Sequence, residues 1–211
     1  MYTGFAIALA WPETLCKQAG SWYDGLMFWL GINKNYYYKV GHAAVVLVDA
    51  STGKCSYFDF GRYHSPAGNG RVRSSETDFE LEIKAIANVS IYEKRILNIE
   101  EIIQEIFKNK SCHGEGELHT SYTLVDYKLS MLCAIKMQLI SPIPYGPFIQ
   151  RGTNCSRFVK NVIINGNPPL SIKNKLNFQL SLTPTPNGNV NALTNKMIFK
   201  EQSINLEEYA L

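Results

Sequence analysis

Residues 40–63 constrain this chain most. Val40–Asp49 is a run of apolar, largely β-branched residues, and Lys54–Tyr63 is a second extended run. Ala50, Ser51, Thr52 and Gly53 between them form a short polar loop of the hairpin type. An antiparallel pair is therefore expected here. If Asp49 faces Lys54, paired residue numbers keep a constant sum of 103, so His42 and Asp59 share a face. They then lie one diagonal step apart, within ~7–8 Å between backbone positions. Asp59 sits inside an otherwise apolar stretch, Tyr57 to Phe60, where a carboxylate is costly unless it is paired. A register slip of one residue would turn it to the other face.

The second informative stretch runs from Pro144 to Ile163. Three prolines and a glycine from Pro142 to Pro147 forbid regular structure, and a helix is expected from Cys155 to Ile164. Gly152, Thr153 and Asn154 supply a breaker and two N-cap types ahead of it. Cys155 then stands in the first turn, where free N–H groups and the helix dipole favour a thiolate. A buried structural cysteine is the plainer alternative. A thiol nucleophile needs a base, and His42, His64, His113 and His119 are the four imidazoles. His42 opens the clearest strand, from which an imidazole can meet a helix-borne thiol, with Asp59 as the group that orients it.

Tyr145-Gly146, then Gly152, then Asn154-Cys155-Ser156 and Phe158-Val159 resemble the nucleophile segment of the NlpC-type, papain-like cysteine peptidases. In that family the histidine strand follows the cysteine. Here Gly41-His42-Ala43-Ala44 precedes it, an order similar to the circularly permuted branch of YiiX-like bacterial proteins and lecithin:retinol acyltransferases. The resemblance spans residues 38–164 and departs from the family at Asn154 and Arg157, where Asp and Gly are usual. It implies thiol hydrolysis of an amide in a peptide, with a cell-wall stem peptide as one substrate class. An acyl ester is the runner-up, by esterase or acyltransferase chemistry. A catalytically silent binding module of the same fold is the reading from another class. The resemblance also implies that Tyr145 donates to the oxyanion beside the Cys155 N–H. Asn154 and His113 are expected to border the substrate, and Arg62, with Arg71 and Arg73, to offer guanidinium groups for a substrate carboxylate.

The 211 residues suit a single domain, with residues 165–211 as a C-terminal strap. A hydrophobic content of 45% permits a sizeable core, and a net charge of +3 reads as too small and scattered for nucleic-acid or membrane binding. Five cysteines without CxxC or Cys/His metal spacing point to free thiols, with neither metal nor cofactor expected. The apolar Gly4–Trp11 stretch lacks a basic flank and is shorter than a membrane span, so it reads as a buried strand. A cytoplasmic location is the corresponding expectation, unless a leader has been removed beforehand.

Short helices are expected within Thr14–Leu30, strands over Phe79–Ile86, Asn88–Arg95 and Thr120–Tyr127, and helices over Ile99–Phe107 and Leu129–Leu139. His64–Ser75, Ser111–His119 and Ser181–Asn195 read as loops. The expected architecture is α+β: an antiparallel, barrel-like sheet with the Cys155 helix packed on it.

Overall fold

The computed structural model describes residues 1–17, 25, 29, 33–34, 37–38, 40–112, 114–179, 181 and 183–200. In chain order the strands are β1 (Gly4–Trp11), β2 (Cys16–Lys17), β3 (Asn33–Lys34), β4 (Tyr37–Tyr38), β5 (His42–Asp49), β6 (Cys55–Gly61) and β7 (Asn69–Arg73). They continue with β8 (Val89–Ser90), β9 (Arg95–Ile96), β10 (Leu118–Val125), β11 (Ile143–Pro144) and β12 (Thr194–Phe199). The helices are α1 (Ile99–Lys108), α2 (Tyr127–Leu139), α3 (Cys155–Asn165), α4 (Leu170–Asn177) and α5 (Pro186–Ala192).

Seven strands form one sheet in the order β11-β7-β6-β5-β1-β10-β12, with every adjacent pair antiparallel. The α+β architecture is present. The order is linear, with β11 and β12 at its edges, and among the described residues it does not close into a barrel. β1 lies inside the sheet, between β5 and β10, which is why all eight of its residues are buried. Its alternation sorts two cores. Phe5, Ile7, Leu9 and Trp11 face Ile99, Ile102, Ile103 and Ile106 of α1. Ala6, Ala8 and Ala10, with Ala43 on β5, face the layer made by α2, α3, α4 and α5. Small side chains there let the α3 helix lie close to the sheet, where Phe158, Val159, Val162 and Ile163 fill the space.

The β5–β6 register is the expected one: Ala44 pairs with Asp59 and Val48 with Cys55, each pair summing to 103. Elsewhere tertiary partners redirect local patterns. Phe79–Ile86 is not a strand; Phe79–Leu81 is a turn of 3₁₀ helix, and extended chain without a ladder follows. Leu81 within it and Ala87 just beyond it are buried, whereas Phe79 is exposed. The N–H groups of this stretch at Lys84 and Ala85 donate to the Glu105 carboxylate of α1 at 2.8 and 2.9 Å. Asn88–Arg95 reduces to the two-residue hairpin strands β8 and β9. Asn98 precedes α1 as expected, but its Oδ1 accepts from the Asn88 N–H at 2.7 Å and ties this hairpin to the helix instead of capping it.

The expected His64–Ser75 loop contains β7, and the Ser181–Asn195 loop contains α5. Residues 165–200 are more than a strap, since α4, α5 and β12 pack against both cores. The Thr14–Leu30 helices fall mostly outside the described residues.

Candidate active site

The site forms where two faces of the sheet meet at one strand end. By alternation His42 belongs with Ala44, Val46 and Val48, facing the α1 side, whereas Cys155 belongs to the α3 side. The end of β5 is where their side chains can touch. Gly41 makes that end, with φ +74°, and a Cβ there would stand 2.8 Å from the Trp11 carbonyl oxygen. Its N–H donates to Thr14 O at 3.1 Å. The Trp11 indole, opposite in the β1–β5 register, stacks on the imidazole with centroids 5.8 Å apart.

Cys155 opens α3 behind a closed loop. Thr153 N donates to Pro144 O and Gly146 N to Thr153 O, both at 2.9 Å, which pairs the loop ends and sets Tyr145 beside Thr153. Asn154 Oδ1 accepts from Arg157 N at 2.8 Å as the N-cap. An Asn caps as well as an Asp does, without placing a negative charge next to the thiol. Arg157 reaches back to the carbonyls of Gly146 and Pro147 at 3.5 and 3.3 Å, so it clasps the loop. From the other side Asn189 of α5 donates to Ser156 O at 2.8 Å.

His42 and Cys155 are each 6% exposed and lie close enough that each shifts the titration of the other. His42 Nε2 lies 3.2 Å from Asp59 Oδ2 and 3.4 Å from the Tyr63 hydroxyl. Asp59, 0% exposed, is held from several directions. Arg73 reaches it with Nε at 3.0 Å and Nη2 at 2.6 Å. The hydroxyls of Tyr57 and Tyr63 donate to Oδ2 at 3.2 and 3.3 Å. Arg73 lies flat on the Tyr63 ring, 3.6 Å from its centroid, and also donates to Ser111 O. Gly61 provides the space in which the Tyr63 ring folds back, since a Cβ there would collide with it.

The electrostatics follow from these contacts. Burial would push the Asp59 carboxyl up, but hydrogen bonds from His42 and Arg73 and their charges hold it below the usual range. Burial would lower His42, yet the hydrogen bonds to Asp59 and Cys155 outweigh it and raise the imidazole to about 9. Burial would likewise raise Cys155, and the hydrogen bond and charge of His42, the Ala43 N–H and Ser156 bring it below its ordinary value. The two shifts agree in direction: the imidazole favours the thiolate and the thiol favours the imidazolium. Burial pushes Cys16, Cys55 and Cys112 the other way, up to about 12.

Other expected site residues have definite places. Tyr145 stacks on Phe60 at 5.7 Å between centroids, and the Arg62 guanidinium lies over the Tyr145 ring at 5.2 Å. His113 falls outside the described residues. Arg71 and Arg73 hold carboxylates of the chain itself, Arg71 binding Asp78 with two hydrogen bonds of 2.7 and 2.6 Å. Sequence reasoning gave Arg73 a different role, and it overlooked Tyr63, Tyr57 and Trp11. A strand over residues 69–73 would have revealed Arg73, which pairs directly with Asp59. No group of three or more metal-ligating side chains occurs among the described residues. All five cysteines are unpaired, and no described helix is long and apolar enough to cross a membrane.

The family model of TseH-like type VI secretion system effectors matches residues 6–172, a span that contains His42, Asp59, Arg73 and Cys155. The chain belongs to the TseH-like family. The crystal structure of the type VI secretion system effector TseH shares its fold, with a TM-score of 0.50 at 18% identity over 79% of this chain and 78% of that one. TseH has an NlpC/P60-like papain fold, in line with the fold class implied by the sequence resemblance, and the match does not bear on the YiiX-like or acyltransferase branch. No curated protein matches the chain.

Proposed function

We propose that this TseH-like effector is a cysteine hydrolase that cleaves an amide bond, with Cys155 as nucleophile, His42 as acid and base, and Asp59 orienting His42. The observation that carries the reading is the imidazole of His42 held between the Cys155 thiol and the Asp59 carboxylate. The Cys155 thiolate attacks the carbonyl carbon, and the C–S bond forms as the oxygen takes up charge. The Cys155 N–H, at the open end of α3, is positioned to donate to that oxygen, and Tyr145 is the proposed second donor. His42 gives its proton to the leaving amine as the C–N bond breaks. It then draws a proton from water, whose oxygen attacks the thioester and releases the acid and the thiolate. A peptide, with a cell-wall stem peptide as one class, is the proposed substrate.

Asp59 acts through His42, and Arg73 through Asp59. Both are positioning residues that keep the imidazole charged and aimed.

The test is site-selective alkylation. With iodoacetamide at pH 6, Cys155 is expected to react well ahead of Cys16, Cys55 and Cys112, and His42→Ala to abolish the preference. Cys155→Ser should fold normally and lose hydrolysis of every peptide substrate. Equal labelling of all thiols at pH 6, or turnover by Cys155→Ser, would remove the dyad from the mechanism.

A further inference from the structure

Helix α2 is apolar on both sides. Ser130, Met131, Ala134 and Met137 turn inward against α3 and the sheet. Leu129, Leu132, Ile135 and Leu139, with Ile140 just beyond, turn outward and are exposed, Leu132 by 62% and Leu139 by 79%. Lys128 and Lys136 stand among them, also exposed. At helical spacing these outward residues occupy one stripe roughly 140° wide. A helix apolar all round is ordinarily buried, and a contiguous exposed stripe of large aliphatic side chains marks a docking face.

Charge decides what the stripe docks against. The net charge of +3 conceals a segregation along the chain: residues 1–126 carry 15 acidic and 12 basic side chains, residues 127–200 nine basic ones and no acid, and residues 201–211 three acids and no base. Acids stand near both ends of the stripe. At the C-terminal end Gln138 Nε2 donates to Thr77 Oγ1 at 3.3 Å, between Glu76 and Asp78, the latter held by Arg71. Two more stand at the N-terminal end. Asp126 caps α2 by accepting from Leu129 N, and Asp49 is near enough to Lys128 to feel its charge. A second copy of this face would set Lys128 and Lys136 against lysines, with no carboxylate on α2 to offset them.

We propose that the outward face of α2 docks on an anionic lipid surface. Leu129, Leu132, Ile135 and Leu139 enter the interface while Lys128 and Lys136 extend along it to the phosphate groups. The charge expected from the sequence to be too scattered for membrane binding is concentrated on the part of the chain that carries this stripe.

The test is co-sedimentation with vesicles of phosphatidylcholine alone and of equimolar phosphatidylglycerol and phosphatidylcholine. The full chain should partition at least ~10-fold more strongly onto the anionic vesicles. Lys128→Gln with Lys136→Gln should weaken that binding ~25-fold, since each cation near an anionic leaflet contributes about fivefold. Leu132→Ser with Leu139→Ser should weaken it ~10-fold or more while melting within a few degrees of the parent, because both side chains are already in water. Absence of binding to the anionic vesicles overturns the proposal. So does binding that survives the leucine changes, which would mark charge attraction without insertion. Self-association in vesicle-free solution that the leucine changes abolish would assign the stripe to a second copy and overturn it too.

Discussion

Cys155→Ala should change how stability depends on pH, because the variant breaks a balance between two opposed titrations. His42 is raised from 6.5 to about 9, so its stabilisation is complete below about 6.5 and is lost as pH rises through about 9. Cys155 is lowered, so its stabilisation is complete above its ordinary value near 9 and is lost as pH falls through the folded value. With the pair as thiolate and imidazolium, the unfolded chain between about pH 6.5 and 8.5 holds one proton on it, on sulfur, and the folded chain also holds one, on the imidazole. The dyad therefore contributes a plateau across that window. In Cys155→Ala the thiolate is gone and Asp59 is left to hold His42 raised. The folded variant then binds a proton that its unfolded chain lacks. Stability should fall with pH by up to ~1.4 kcal/mol per unit, an upper bound of ~3 kcal/mol across the window. For a chain of this size that is a loss of up to ~5–10 °C in melting temperature. The measurement is thermal unfolding of both proteins between pH 6 and 9. Subtraction cancels the groups they share and should leave a difference that grows with pH. A difference that stays flat would show that thiol and imidazole rest neutral, and the ion-pair mechanism would go with it.

Arg73→Met removes the two-point partner of a fully buried carboxylate. Breaking such a pair from one side costs ~3–5 kcal/mol, so melting should drop by roughly 6–20 °C, and combining it with Asp59→Asn should cost less than the two changes summed. Gly41→Ala forces a side chain into φ +74° with its Cβ 2.8 Å from the Trp11 carbonyl oxygen. A loss of ~2 kcal/mol is expected, with slower alkylation of Cys155 at pH 6 because His42 is displaced; unchanged melting would show that this turn is not strained.

The hairpin and the nucleophile helix were legible because their signals are local. The β5–β6 register follows from a short loop and period-2 alternation, which a strand keeps wherever it packs. The start of α3 follows from Gly152, Thr153 and Asn154, since a cap acts within three residues of itself. The buried strand at Gly4–Trp11 was equally plain, an uninterrupted apolar run being what a central strand requires.

What the sequence by itself determined, then, was which segments are extended or helical and which faces of them are apolar. The tertiary structure decided where their polar groups found partners. Phe79–Ile86 alternates like a strand, yet its backbone bonds to a glutamate on α1, a partner supplied from 20 residues away. Arg73 reads as a loop cation until β7 is laid beside β6 and its guanidinium closes on Asp59. The Asn189 side chain, in a stretch that reads as irregular, secures the first turn of the Cys155 helix. Period and propensity are properties of neighbours in the chain, whereas a buried charge or amide takes whichever partner the packing brings within reach, and desolvation makes that partner obligatory.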